Sequence, residues 1–126
     1  NQHDLGSMYR ATLEGIAFSF VYGIKFIEDD NFNLALIKAG NDNLFQSTVF
    51  SQTIATLVGK EIQLFNTTGA IGAGRASSTN FKDLNAFVKI STKNDYFKSF
   101  TPEKDKSKYE MAFSNWTSEL EKMINR

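Results

Sequence analysis

Two short clusters in this chain hold residue types that can grip a phosphate or a sugar hydroxyl. The first is Ala39-Gly40-Asn41-Asp42-Asn43. Amide side chains and free backbone N–H groups at a helix start can hold an adenine, a ribose or a phosphate. A cluster of Asn, Asp and Gly is also an ordinary turn, and that reading stays open. Gly40 here permits positive φ and a close backbone approach to a ligand. The second cluster, Gly69-Ala70-Ile71-Gly72-Ala73-Gly74, has the composition of a phosphate loop. It lacks both the Gly-Lys-Ser/Thr of the Walker pattern and the G-x-G-x-x-G spacing. Close helix packing is the reading favoured for it, with Arg75 as a solvated arginine rather than a phosphate ligand. His3 is the single histidine and has no Ser or Asp arrangement around it, so it takes no catalytic role. The carboxylates show no metal-ligand spacing. Glu14 has Arg10 four residues earlier on the same helix face, so an ion pair is favoured over a ligand contact.

The whole chain limits what these clusters can serve. At 126 residues it is one domain by the usual prior. Its 14 basic and 14 acidic residues balance, which argues against nucleic acid as a partner. No run approaches the ~18 apolar residues of a membrane span. Cysteine is absent, which excludes disulfide scaffolds and cysteine–zinc sites and fits a cytoplasmic location. The chain starts at Asn1 with no basic-then-apolar leader, as expected of a mature product or a piece of something longer.

The elements that must position the clusters follow from periodicity. Leu5, Met8, Tyr9, Leu13, Ile16, Phe20, Ile24 and Ile27 recur at helical spacing, which predicts a helix over 4–27 capped by Asp4. Ala17, Phe18 and Val21 widen its apolar stripe, so cover on more than one side is expected. Gly15 and Gly23 lie inside it, where each argues for close packing against the backbone. An acidic turn over 28–33 leads to a strand over 34–38, apolar enough for both faces to be covered. The Gly40 turn and a helix over 45–58 follow, with Gly59 at its C-terminal end. A strand over 60–65, a loop with caps at 66–68 and a small-residue helix over 69–78 complete an α/β pattern of two parallel strands. A break at 77–80 precedes a short helix to Val88, with Asn80 and Asp83 as a capping pair. Residues 91–99 read as loop. Thr101 and Pro102 open a last helix whose buried face is Tyr109, Ala112, Phe113, Trp116, Leu120, Met123 and Ile124.

Taken together, these strings resemble the C-terminal part of the FGGY-family carbohydrate kinases, and among them the xylulokinases. Tyr9-Arg10-Ala11 through Leu13-Glu14-Gly15-Ile16-Ala17-Phe18 is similar to the family's R-A-x-x-E-G-[IV]-A-[FY] helix. Ile37 to Ser47 resembles its adenosine-motif loop, with Ala39-Gly40-Asn41 where many members have three glycines. Gln52 to Ala55, then Gly59-Lys60, resembles the helix and turn after that loop, and Gly69 to Ala73 its G-A-x-G-A helix.

The resemblance implies a truncated ribonuclease H-like domain of the actin/hexokinase-like ATPases, lacking its initial strands. Residues 1–78 would be its α/β core and 79–126 a C-terminal helical extension. It implies ATP and Mg²⁺ in the intact enzyme, phosphorylation of a ketopentose such as xylulose, and adenosine contacts from Ala39, Gly40, Asn41, Asn43 and Ser47. The catalytic aspartate, the sugar site and the phosphate loops would lie in the missing N-terminal domain and opening strands, leaving this chain alone inactive. Uncovered helix faces and a sheet edge predict a homo-oligomer. A non-catalytic binding or oligomerisation module reusing the same fold is the alternative.

Overall fold

Asp4 opens the first helix. Its carboxylate accepts the Ser7 N–H at 2.7 Å, satisfying one of the donors that a helix start leaves free. Hydrogen bonding within the first turn also holds this carboxyl below its ordinary pKa. The chain is seen in a computed structural model that describes residues 4–28, 34–78 and 95–125, and these described residues form four α-helices and three strands. These are α1 (Leu5–Glu28), β1 (Ile37–Gly40), α2 (Thr48–Val58), β2 (Ile62–Phe65), α3 (Gly69–Ser78), β3 (Tyr96–Phe100) and α4 (Ser107–Ile124). His3, the acidic turn beyond Glu28 and the expected helix from Asn80 to Val88 lie outside the described residues.

β1 and β2 are parallel, with Ile37 opposite Ile62 and Gly40 opposite Phe65. The sheet is mixed and three-stranded in the order β1-β2-β3, not a pair of parallel strands. β3 pairs antiparallel to β2, Ile62 facing Phe100, in a stretch that the sequence reading leaves as loop. Tyr96 and Phe97 are exposed and only Phe100 is buried, so the segment lacks the apolar alternation that marks a strand. What forms it is a non-local ladder with β2.

α2 sits at the centre. Ser47 caps it, its hydroxyl accepting the Phe50 N–H at 3.4 Å. Gly59 closes it in the left-handed conformation at φ 73°, where a Cβ is strained. A separate 3-10 turn, Asn43–Gln46, precedes it, because Ser47 is extended and breaks the run expected from Phe45. Phe50, Ile54 and Ala55 are fully buried against Ala17, Phe18 and Val21 of α1 and Ile62, Leu64 and Phe100 of the sheet.

Two other expectations change. α4 begins at Ser107, not at Pro102. The Thr101 carbonyl accepts the Gln52 side-chain amide at 2.8 Å and the Glu103 N–H donates to Thr56 Oγ1 at 3.3 Å. Those bonds tie 101–103 to α2 and override the capping signal. Its apolar face is half-buried at Tyr109, Ala112, Phe113 and Trp116, while Met123 and Ile124 are exposed. In α1 the stripe expected to face the core does so at Leu13, which is buried, and at Ile24, which packs against the core cluster, but not along most of its length. The residues that widen it, Ala17, Phe18 and Val21, are buried, whereas Leu5, Tyr9, Ile16, Phe20 and Ile27 stay exposed. Nothing packs within 4 Å of a Cβ built on Gly15 or Gly23.

Candidate functional site

β1 and β2 end side by side, and the loops leaving their carboxyl ends frame an open cleft of about 430 Å³. This is the position where parallel strands present ligand-binding loops. Its floor is aromatic. Phe20, Phe45 and Phe50 meet edge to face, with centroids 5.3–6.4 Å apart. Gly40, Asp42 and Asn43 form one rim, and Thr67, Thr68 and Gly69 form the other.

Each rim is held by local chemistry. Asp42 caps the 3-10 turn, its carboxylate accepting the Asn43 N–H at 2.7 Å. Asn43 takes a positive φ of 50°, which asparagine tolerates better than most side chains. Opposite, Thr68 accepts the Ile71 N–H at 3.3 Å and so starts α3 at Gly69. The partial positive charge of that helix start therefore faces the cleft.

Of the five residues nominated from sequence, Gly40 and Asn43 line the cleft. Ala39 lies in β1 and packs against the core. Asn41 extends the ladder by one bond, donating its N–H to the Phe65 carbonyl at 2.7 Å, while its own carbonyl accepts from Gln46. Ser47 is the α2 cap described above.

Gly40 needs correction in its reason. It is the last residue of β1, and Gly59 is the positive-φ glycine among the described residues. A Cβ on Gly40 would lie 2.6 Å from the Thr67 carbonyl oxygen, so the close neighbour is this chain's own backbone. Phe20 and Thr67 were not nominated from sequence. The signal for Thr67 is the Gly40 crowding, which no local pattern reveals.

A second, charged cleft of about 370 Å³ lies between α1 and the start of α4. Four of its polar groups are engaged with one another. Arg10 Nε donates to Glu14 at 2.8 Å, as the spacing predicts, and the Tyr109 hydroxyl donates to Glu103 at 3.0 Å. Burial pushes the Tyr109 phenol up, and the bond to Glu103 and that carboxylate's charge add to it. Among the described residues no group of three His, Asp or Glu side chains is placed to hold a metal ion. No helix among them is long and apolar enough to cross a membrane.

No family model matches this sequence, and no curated protein does. The fold is similar to that of the xylulose kinase from Rhodospirillum rubrum, with a TM-score of 0.71 at 18% sequence identity. The similarity covers 99% of this chain and 27% of that one, so the chain spans about a quarter of the solved structure it matches.

Proposed function

We propose that this chain is the nucleotide-facing C-terminal segment of a ribonuclease H-like carbohydrate kinase. The intact enzyme would pass the γ-phosphoryl group of ATP to a hydroxyl of a ketopentose such as xylulose. The observation that carries this reading is the cleft at the ends of β1 and β2, in a fold similar to part of a xylulose kinase.

The cleft's chemistry suits the adenosine end of ATP. The Phe20 and Phe45 rings, backed by the buried Phe50, offer apolar cover to a purine. The Asp42 carboxylate and Asn43 amide can take hydrogen bonds from ribose hydroxyls or the exocyclic amine. Phosphates would leave toward the α3 start at Gly69, since a carboxylate beside Asn43 repels them. Gly40 and Asn43 act at the wall itself, whereas Ala39, Asn41 and Ser47 hold the loop in place.

Transfer of a phosphoryl group is positioning plus charge stabilisation. This chain supplies the adenosine half of the positioning. The sugar pocket, the base that deprotonates the sugar and the phosphate loops belong to the remainder of such an enzyme. Among the described residues Asp42 is the one acidic side chain on the cleft wall, and it is already capping the 3-10 turn, so Mg²⁺ would be held by ATP and by groups elsewhere.

Titration with ATP, followed by amide NMR, tests the reading. Shifts confined to Gly40–Asn43 and Thr67–Gly69 are expected. Asn43→Gly keeps the positive φ, removes the amide and weakens binding about tenfold, the loss of one good hydrogen bond. No shift at these residues in millimolar ATP would overturn the site. Sugar phosphorylation by the purified 126-residue chain would overturn its dependence on missing parts.

A further inference from the structure

One acceptor on the cleft wall is fixed in place and left unused. The Asp42 carboxylate takes the Asn43 N–H on Oδ1 at 2.7 Å, and the Asp42 carbonyl takes the Phe45 N–H at 3.2 Å. Side chain and backbone are thus both held, on an extended residue with φ −142° and ψ 157°. Among the described residues no other donor reaches this carboxylate, and no lysine or arginine pairs with it. An ionised carboxylate offers about four acceptor positions and no donor. Oδ2 therefore suits an N–H or O–H of a ligand, and it repels an anion.

A nucleotide in this cleft has little freedom in how it meets that oxygen. On the reading proposed above, the base covers the Phe20 and Phe45 rings and the phosphates leave toward the start of α3 at Gly69. The ribose joins the two, so it lies between the rims. The base and the 5′ carbon leave one face of a ribose ring, and its two hydroxyls leave the other. With the first face turned to the rings and Gly69, the hydroxyls turn to the rim of Gly40, Asp42 and Asn43. Of the two, the 2′ hydroxyl stands farther along the ring from the 5′ phosphates, which a carboxylate repels. A hydrogen bond to an ionised acceptor is roughly twice as strong as one to a neutral amide. Asp42 rather than Asn43 then decides how much that hydroxyl is worth.

We propose that Asp42 is a specificity residue of this cleft. Its carboxylate accepts the ribose 2′ hydroxyl and so selects ribonucleotides over 2′-deoxynucleotides. The assignment rests on the nucleotide reading, and ligands that differ by one oxygen tell the two apart.

Titration of the purified chain with ATP, 2′-deoxy-ATP and 3′-deoxy-ATP, followed by amide NMR, reads the affinities. EDTA keeps a cation from bridging carboxylate and phosphate. ATP should bind about tenfold more tightly than 2′-deoxy-ATP, the loss of one hydrogen bond to a charged group, and about as tightly as 3′-deoxy-ATP. Asp42→Ser keeps an oxygen for the Asn43 N–H, as serine does at helix starts, but removes the charge and the reach. It should bring ATP down to the level of 2′-deoxy-ATP and leave 2′-deoxy-ATP no weaker than before. If the turn itself gives way, seen as shifts over 43–47 without ligand, Asp42→Asn preserves its shape. That variant should lower the ratio of the two affinities at least threefold.

Loss of both nucleotides to the same extent in these variants would make Asp42 a structural cap and overturn the proposal. So would a ribose preference that survives them, or a preference lost with 3′-deoxy-ATP instead. Equal wild-type affinities for ATP and 2′-deoxy-ATP overturn it and leave the nucleotide reading standing. No shift with any of the three nucleotides overturns both.

Discussion

α1 and α2 are both rich in apolar residues, yet they are used in opposite ways. α2 buries seven of its 11 residues, among them Phe50, Ile54 and Leu57. α1 is more than twice as long, and its buried residues are Leu13, Ala17, Phe18 and Val21. The difference shows that apolar periodicity reports a face that needs cover, not the element that covers it. Within the monomer the core falls where α2, β2 and the inner side of α1 meet. Most of the more regular stripe of α1, all but Leu13 and Ile24, is left outside.

That contrast can be broken by mutation. Ile54→Ala should lose about 2–5 kcal/mol of stability, the usual cost of a cavity in a packed core. In dilute protein Phe26→Ala, on the outer side of α1, should stay within about 0.5 kcal/mol. Urea unfolding followed by circular dichroism measures both, and equal losses would erase the distinction between the two helices.

Glycine sharpens it. Gly40→Ala drives a Cβ into the Thr67 carbonyl oxygen at 2.6 Å and should cost about 1–3 kcal/mol through backbone shifts. Gly59→Ala forces an L residue to φ 73° and should cost about 1–2 kcal/mol. Gly15→Ala should move the other way and stabilise by up to ~1 kcal/mol, because α1 has open space there and alanine is the better helix former. A loss at Gly15 would mean that some other surface packs on it.

The smallest effect concerns the seam between α1 and α4. Tyr109 has a raised pKa in the folded chain, so its contribution to stability is complete below the unfolded value near 10. It is lost as pH rises through the folded value. Tyr109→Phe should therefore lessen the alkaline fall in stability, and at pH 7 it should cost about 1 kcal/mol or less, the loss of the exposed bond to Glu103. Identical wild-type and variant curves above pH 10 would remove the phenol from the account.

Much of this architecture was legible from the residues. The 24-residue α1, the Gly59 end of α2, the Thr68 cap of α3 and the Arg10–Glu14 pair all follow from local spacing. Apart from the local break at Ser47, the misses at β3, α4 and Gly40 share one cause, which is that distant chain decides them. β3 exists because β2 offers a ladder. α4 starts late because Gln52 and Thr56 hold 101–103. Gly40 is crowded by Thr67, 27 positions away in sequence. The cleft was legible in part for the same reason. Gly40 and Asn43 belong to a local turn motif, while Phe20 reaches the floor only through the packing of α1 on α2.

The docking of α4 has an optical consequence. Trp116 is the chain's single tryptophan, and it stands on α4 stacked with Phe113 and edge-on to Tyr22. No residue of α4 is fully buried, so this helix can separate from the core at a lower free energy than the whole chain unfolds. Fluorescence from Trp116 is then a gauge of one helix leaving its seat, and its denaturation midpoint should precede the one seen by amide exchange in α2.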